Sequence, residues 1–175
     1  MKFFSSFMLL VLAIWLGSAV FFIGVAQSAF AIVADREMAG AVVGRNLMIL
    51  NIGGIVVSMI LLLTSLISAS MVGRVSLWTE RFLLLVLGGC CAVGQFVIGV
   101  WLGSVRSQMG GPLDTLSLDD PLRMQFNMLH QYSMWVMLAA MIAALIAFFI
   151  IANRRFERPP VAKSDVYDFS KEFKT

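Results

Sequence analysis

One histidine, a run of methionines and two adjacent cysteines are the side chains best suited to chemistry in this sequence. His130, Met134, Met137 and Met141 step by four, three and four residues, so a helix through them carries all four on one face. Imidazole and thioether groups suit a soft ion such as Cu(I). The interval rises about 16 Å, so one ion touches only two neighbours, and His130 with Met134 is the pair to consider for metal. Methionine is also a common filler of irregular apolar gaps. With 12 methionines in the chain, that is the plainer reading. Cys90 and Cys91 are neighbours that point about 100° apart on a helix, so a bridge between them is strained. Their spacing excludes a Cys-x-x-Cys zinc site. A lone histidine excludes bis-histidine haem ligation within one copy. His130 and Ser133 could pair as base and nucleophile, but no nucleophile elbow surrounds them, and Ser133 is expected to hydrogen-bond within its helix. No catalytic residue and no cofactor follow from these groups.

The elements that position these side chains are set by charge. Between Lys2 and Asp35, Arg45 and Arg74, Arg81 and Arg106, and Arg123 and Arg154 there is no Asp, Glu, Lys or Arg. Each gap exceeds the roughly 20 residues that a helix needs to cross about 30 Å of hydrocarbon. Backbone groups cannot stay unpaired in lipid, so each run must be helical. The pattern predicts an all-α integral membrane four-helix bundle over residues 1–152, with helices near 5–29, 47–71, 82–104 and 129–152. Residues 153–175 form a polar tail, with a Pro-Pro pair and mixed charge, expected to lack fixed structure. The composition agrees: 60% of residues are hydrophobic, 13% are charged, and the mean hydropathy is +0.92. No basic patch with interleaved aromatics is present, which argues against nucleic acid as a partner. The first run starts like a signal peptide and "AQSAFA" offers small residues for cleavage. Its apolar stretch is longer than the usual 7–15 or so residues, which favours retention as a span.

Lys and Arg placement gives the orientation. Lys2, Arg74, Arg81, Arg154, Arg155, Arg158, Lys163, Lys171 and Lys174 fall on one side, against Arg36, Arg45, Arg106 and Arg123 on the other. Both termini are therefore expected in the cytoplasm, in a bacterial inner membrane. Small residues mark packing faces, because lipid supplies no hydrophobic drive between helices. Gly17, Phe21, Gly24 and Ser28 share a face of the first helix. Gly88, Ala92, Gln95, Gly99 and Gly103 align on the third, and Ala139, Ala143 and Ala147 on the fourth. "GAVVG", residues 40–44, falls in the expected first loop or at the start of the second helix.

Polar residues inside a span are costly and so draw notice. Gln27, Asn51, His130 and Ser133, with Asn46 and Gln131 nearby, are expected toward the outward end, where they could line a small polar vestibule. Ordinary boundary residues and interhelical hydrogen bonds are the plainer account of them. Gln95 is the clearest mid-span polar residue, read first as a structural hydrogen bond between helices.

"WLGSAVFFIGVAQSAF", "EMAGAVVGRN" and "MLHQYS" together resemble the four-helix membrane family related to transmembrane protein 205, grouped in bacteria as domain of unknown function 4149. The resemblance runs from about Leu9 to Ala152 and rests on Trp15, Gly17, Phe30, Ala39, Gly40, Gly44, His130 and Ser133. Gln27 stands where the family usually has proline, and Met137 where it has asparagine. A kinked first helix and a polar partner inside the fourth are therefore not carried over. The resemblance implies the same topology and no biochemical activity. The leading expectation is a non-enzymatic accessory or scaffold unit in the lipid bilayer, self-associating or part of a larger membrane complex. The rival is a small transport or soft-metal-handling protein that uses the outward polar end.

Overall fold

The computed structural model describes residues 2–67 and 74–154. Four long helices carry the fold: α1 (Lys2–Ile32), α2 (Arg36–Ile67), α3 (Arg74–Gln108) and α4 (Pro121–Ala152). Each is long and apolar enough to cross a membrane, and no strand occurs among the described residues. The bundle is all-α, as the charge gaps require.

The helices run past the apolar gaps, and their caps explain why. Asp35 Oδ1 accepts from the backbone N–H of Glu37 at 2.8 Å and of Met38 at 3.3 Å, which starts α2 directly after a short connector. Arg36, Glu37 and Arg45, expected in a loop, therefore ride on the first turns of α2, and Gly40 and Gly44 are helical. Asp120 caps α4 in the same way, accepting from Leu122 N–H at 2.8 Å with Pro121 in the first turn. α4 thus begins well before residue 129, and His130 lies more than two turns inside it rather than at its mouth. After α3, Gly110 takes a left-handed φ of 64°, a conformation that favours glycine at a helix end. The chain then makes a short 3-10 turn, Leu113–Thr115. Leu113 and Leu116 pack with Val105, Met109 and Leu129 to cap that end of α3 and α4. Arg123 Nη1 fastens the turn by donating to the Leu116 carbonyl at 2.6 Å.

Each helix packs on its neighbour in sequence, and α1 closes the ring against α4. The core takes Met8, Leu12, Trp15 and Ala19 from α1, Leu50 and Leu61 from α2, Leu84, Leu87 and Cys91 from α3, and Ala140, Ala144, Ala147 and Ile151 from α4. Alanines on α4 let the other helices approach closely. The stripe is shifted from the expected one, since Ala143 and Ala147 are buried while Ala139 is exposed.

One expected packing face, and the far part of another, lie on the outside. On α1, Gly17, Phe21, Gly24 and Ser28 are all exposed, because the larger Met8, Leu12 and Trp15 take the interior face. On α3, Gly99 and Gly103 are exposed as well. A π-helical turn, Val93–Ile98, interrupts α3 between Ala92 and Gly99. The wider turn breaks the uniform spacing that would have kept Gly88, Ala92, Gln95, Gly99 and Gly103 in line. Ile98, the last residue of that turn, and Val105 beyond it are buried.

Candidate functional site

The strongest concentration of buried polarity lies where the start of α1, the second turn of α3 and the end of α4 meet. Glu80 is spaced from Leu77, Leu84 and Leu87 by three, four and seven residues, so helix geometry turns it inward with them. Its carboxylate is fully buried, and the Arg154 side chain is 1% exposed. Arg154 Nε donates to Glu80 Oε2 at 2.9 Å, and Nη2 donates to the same oxygen. Arg154 Nη1 reaches Ser5 Oγ at 3.4 Å and Met8 Sδ at 3.7 Å. Among the described residues Glu80 Oε1 has no hydrogen-bond partner. One guanidinium therefore ties three helices together, and both hydrogen bonds it gives to the acid go to a single oxygen.

The next residue binds the remaining helix, α2. Arg81 Nε donates to Ser65 Oγ at 3.3 Å, and Nη2 donates to the Ser65 carbonyl at 3.1 Å. One turn further along α3, Ser58 Oγ donates to the Leu84 carbonyl at 2.7 Å, and Gly88 leaves room for Ser58. At the opposite end, Arg106 Nη2 pairs with Glu37 Oε1 at 3.0 Å, with both side chains more than 40% exposed. Gly40 lies beneath that arginine, since a Cβ there would stand 3.9 Å from Nη1. Together these contacts latch the bundle at both ends. Chemically, the Glu80–Arg154 site can hold helices in register.

The middle of the bundle is keyed by Trp15. Its indole N–H donates to the Leu50 carbonyl at 3.1 Å. Gly54 sits directly against the indole and Cys91 Sγ, so the ring slides over α2 only because Gly54 has no side chain. Asn51, 4% exposed, rests on Gly94 in the π turn.

The sequence-derived candidates are dispersed. His130 and Met134 are both exposed, Met134 at 56%. Of the four residues expected around a vestibule, Gln27 and His130 are exposed while Asn51 and Ser133 are buried, and no hydrogen bond joins them. Asn46 is exposed and donates to the Val42 carbonyl of its own helix at 2.9 Å. Gln95 is half-buried within the π turn. Among the described residues no group of three His, Cys, Asp or Glu side chains converges. Of the signature positions, Trp15, Ala39 and Ser133 are buried, Gly40 is half-buried, and Gly17, Phe30, Gly44 and His130 are exposed.

Glu80 and Arg154 escape a reading based on charge gaps, because each lies at the edge of an apolar run and looks like a boundary residue. The signal that finds Glu80 is helical spacing: an acid in register with three leucines. The expected tail, residues 153–175, lies outside the described residues beyond Arg154.

Four membrane-length helices, ring packing and buried polar latches define an integral membrane four-helix bundle. A family model described as Domain of unknown function (DUF4149) matches residues 10–110, and the chain belongs to that family. The match contains Trp15, Gly17, Phe30, Ala39, Gly40 and Gly44. It ends before α4, so His130 and Ser133 fall outside it. No curated protein and no solved structure matches the chain.

Proposed function

We propose that this protein is a non-enzymatic accessory unit of the membrane, assembling with itself or with other membrane proteins through the outer face of α1. One observation carries the reading. Gly17, Phe21, Gly24 and Ser28, the small-residue face that suits close helix approach, are exposed instead of packed within the bundle. Beside them a groove of about 540 Å³ runs along Gly24, Val25, Ser28, Ala29 and Ile32 and reaches Val42 of α2. The bundle has its own core without that face, which leaves it available to a partner helix. In this reading the membrane is a bacterial inner membrane, and the positive-inside count supports cytoplasmic termini with the groove toward its outer half.

The test is purification in mild detergent with mass measurement, comparing the wild type with Gly24→Leu and Ser28→Leu. The expected result is a wild-type assembly larger than one chain that both variants shift to the single-chain mass while helicity is retained. A wild type that runs as a single chain, with no copurifying protein, refutes the proposal.

A further inference from the structure

Beside Trp15, α1 and α2 leave an open apolar groove of about 310 Å³, with Ile14, Trp15 and Ser18 on one bank and Ile49, Gly53 and Val57 on the other. Gly53 has no side chain to fill it, and a Cβ there would stand 3.9 Å from Trp15 Cδ1. The polar groups of the walls are already used. Ser18 Oγ donates to the Ile14 carbonyl at 2.8 Å, and the Trp15 indole N–H donates to the Leu50 carbonyl at 3.1 Å. The groove therefore offers an occupant apolar contact and no hydrogen bond. Its charge stands at one end. Val42, Arg45, Ile49 and Gly53 step by three, four and four along α2, so they share one face. Arg45 is exposed one turn beyond Ile49 and makes no ion pair or hydrogen bond with a described residue. The nearest acids along α2 are engaged: Glu37 pairs with Arg106, and Asp35 caps the helix. Arg45 also lies at a telling depth. It is about 30 Å along α2 from Ser65, which Arg81 binds at the clasp end. That distance is the thickness of the hydrocarbon layer.

We propose that this groove and Arg45 bind one anionic phospholipid from the leaflet opposite the Glu80–Arg154 clasp, with an acyl chain in the groove and the phosphodiester on the guanidinium. Charge complementarity selects the occupant. An uncompensated cation at the edge of the hydrocarbon calls for one negative charge, and the guanidinium fork matches two phosphate oxygens. A headgroup with its own ammonium would set a second cation beside Arg45. A lipid of the phosphatidylglycerol type, whose sole charge is the phosphate, fits better than a zwitterionic one. Side chains on a helix lean toward its N-terminus, which in α2 points away from the bilayer centre, so Arg45 reaches out to the headgroup layer. The groove runs the other way. From Ile49 to Val57 it covers about 12 Å, within the roughly 15 Å that half the hydrocarbon gives to one leaflet's chains. Head and tail thus meet their partners in the order that a lipid presents them. The groove shares no lining residue with the one that reaches from Gly24 to Val42, so this site is independent of the α1 assembly face.

The test is native mass spectrometry of the full-length protein in detergent, titrated with phosphatidylglycerol or with phosphatidylethanolamine of identical acyl chains. The expected result is one phosphatidylglycerol held per chain, with phosphatidylethanolamine held about tenfold more weakly. Arg45→Gln removes one charge-assisted pair, so it weakens phosphatidylglycerol about tenfold and brings the two lipids level. Gly53→Leu and Ser18→Phe fill the groove and weaken both lipids. Arg74→Gln, at an exposed position near the clasp end, leaves binding unchanged. Equal retention of the two lipids by the wild type overturns the proposal. So does phosphatidylglycerol binding that survives Arg45→Gln, or that falls as much in Arg74→Gln. Ser18 is exposed, so Ser18→Phe keeps the groove testable if Gly53→Leu does not fold. Retention unchanged in a folded Ser18→Phe also overturns the proposal.

Discussion

Replacing Arg154 by methionine removes the guanidinium and keeps much of the aliphatic stem. The change deletes both hydrogen bonds to Glu80 Oε2 and the contacts to Ser5 and Met8. Among the described residues Glu80 already lacks a partner at Oε1, so none of them would donate to either carboxylate oxygen, and the group has no exposure to water. Breaking a buried pair by removing one partner costs about 3–5 kcal/mol, whereas replacing both partners by apolar groups of similar size is often neutral or stabilising. Arg154→Met is therefore expected to lose about 3–5 kcal/mol, and Glu80→Leu with Arg154→Met to recover most of it. The double variant still gives up the tie to Ser5, a contribution of about 0.6 kcal/mol on the average for hydrogen bonds between membrane helices. The assay is reversible unfolding in mixed micelles, followed by helicity, for the wild type, both single variants and the double. An Arg154→Met within about 0.5 kcal/mol of wild type, or a double variant as unstable as that single, refutes the view that the pair is a desolvated clasp.

Other positions make sharper or smaller predictions. Gly54→Ala drives a methyl group into Cys91 Sγ and the Trp15 indole, and should cost about 1–3 kcal/mol; adding Cys91→Ala should return part of it in the same unfolding assay. Trp15→Phe keeps a ring but loses the bond to the Leu50 carbonyl, so about 0.6 and at most about 1.7 kcal/mol should go. Glu37→Gln breaks an exposed pair, and its effect should stay below about 1 kcal/mol and shrink as salt is raised in the unfolding titration.

The sequence makes the spans legible because one physical rule, the exclusion of charge from hydrocarbon, writes them as long gaps. The helix ends are less legible, since helices project beyond the apolar layer and their starts are set by caps. Asp35 and Asp120 are ordinary capping residues, but Arg36 and Glu37 after Asp35 hide the start of α2 from a reading based on charge. Small-residue stripes identify faces that permit close approach without saying which neighbour uses them. Gly88 meets Ser58 inside the bundle, while Gly24 on α1 meets nothing among the described residues. The π turn leaves no mark in hydrophobic periodicity, so the exposure of Gly99 and Gly103 and the seat of Asn51 on Gly94 emerge only in three dimensions. Of the site residues, Trp15 and Ala39 stand out in the sequence and are buried. The Glu80–Arg154 clasp depends on a contact across 74 residues that local pattern does not encode.

The central claim, that the outer face of α1 is an assembly surface, is tested most directly by cysteine cross-linking in native membranes. Single cysteines at Gly24 and Ser28 on that face are compared with one at Leu145, an exposed position on α4. Cross-linked species, with a second copy or with another membrane protein, are expected at Gly24 and Ser28 and none at Leu145. Equal cross-linking at all three positions, or none at Gly24 and Ser28, would contradict it.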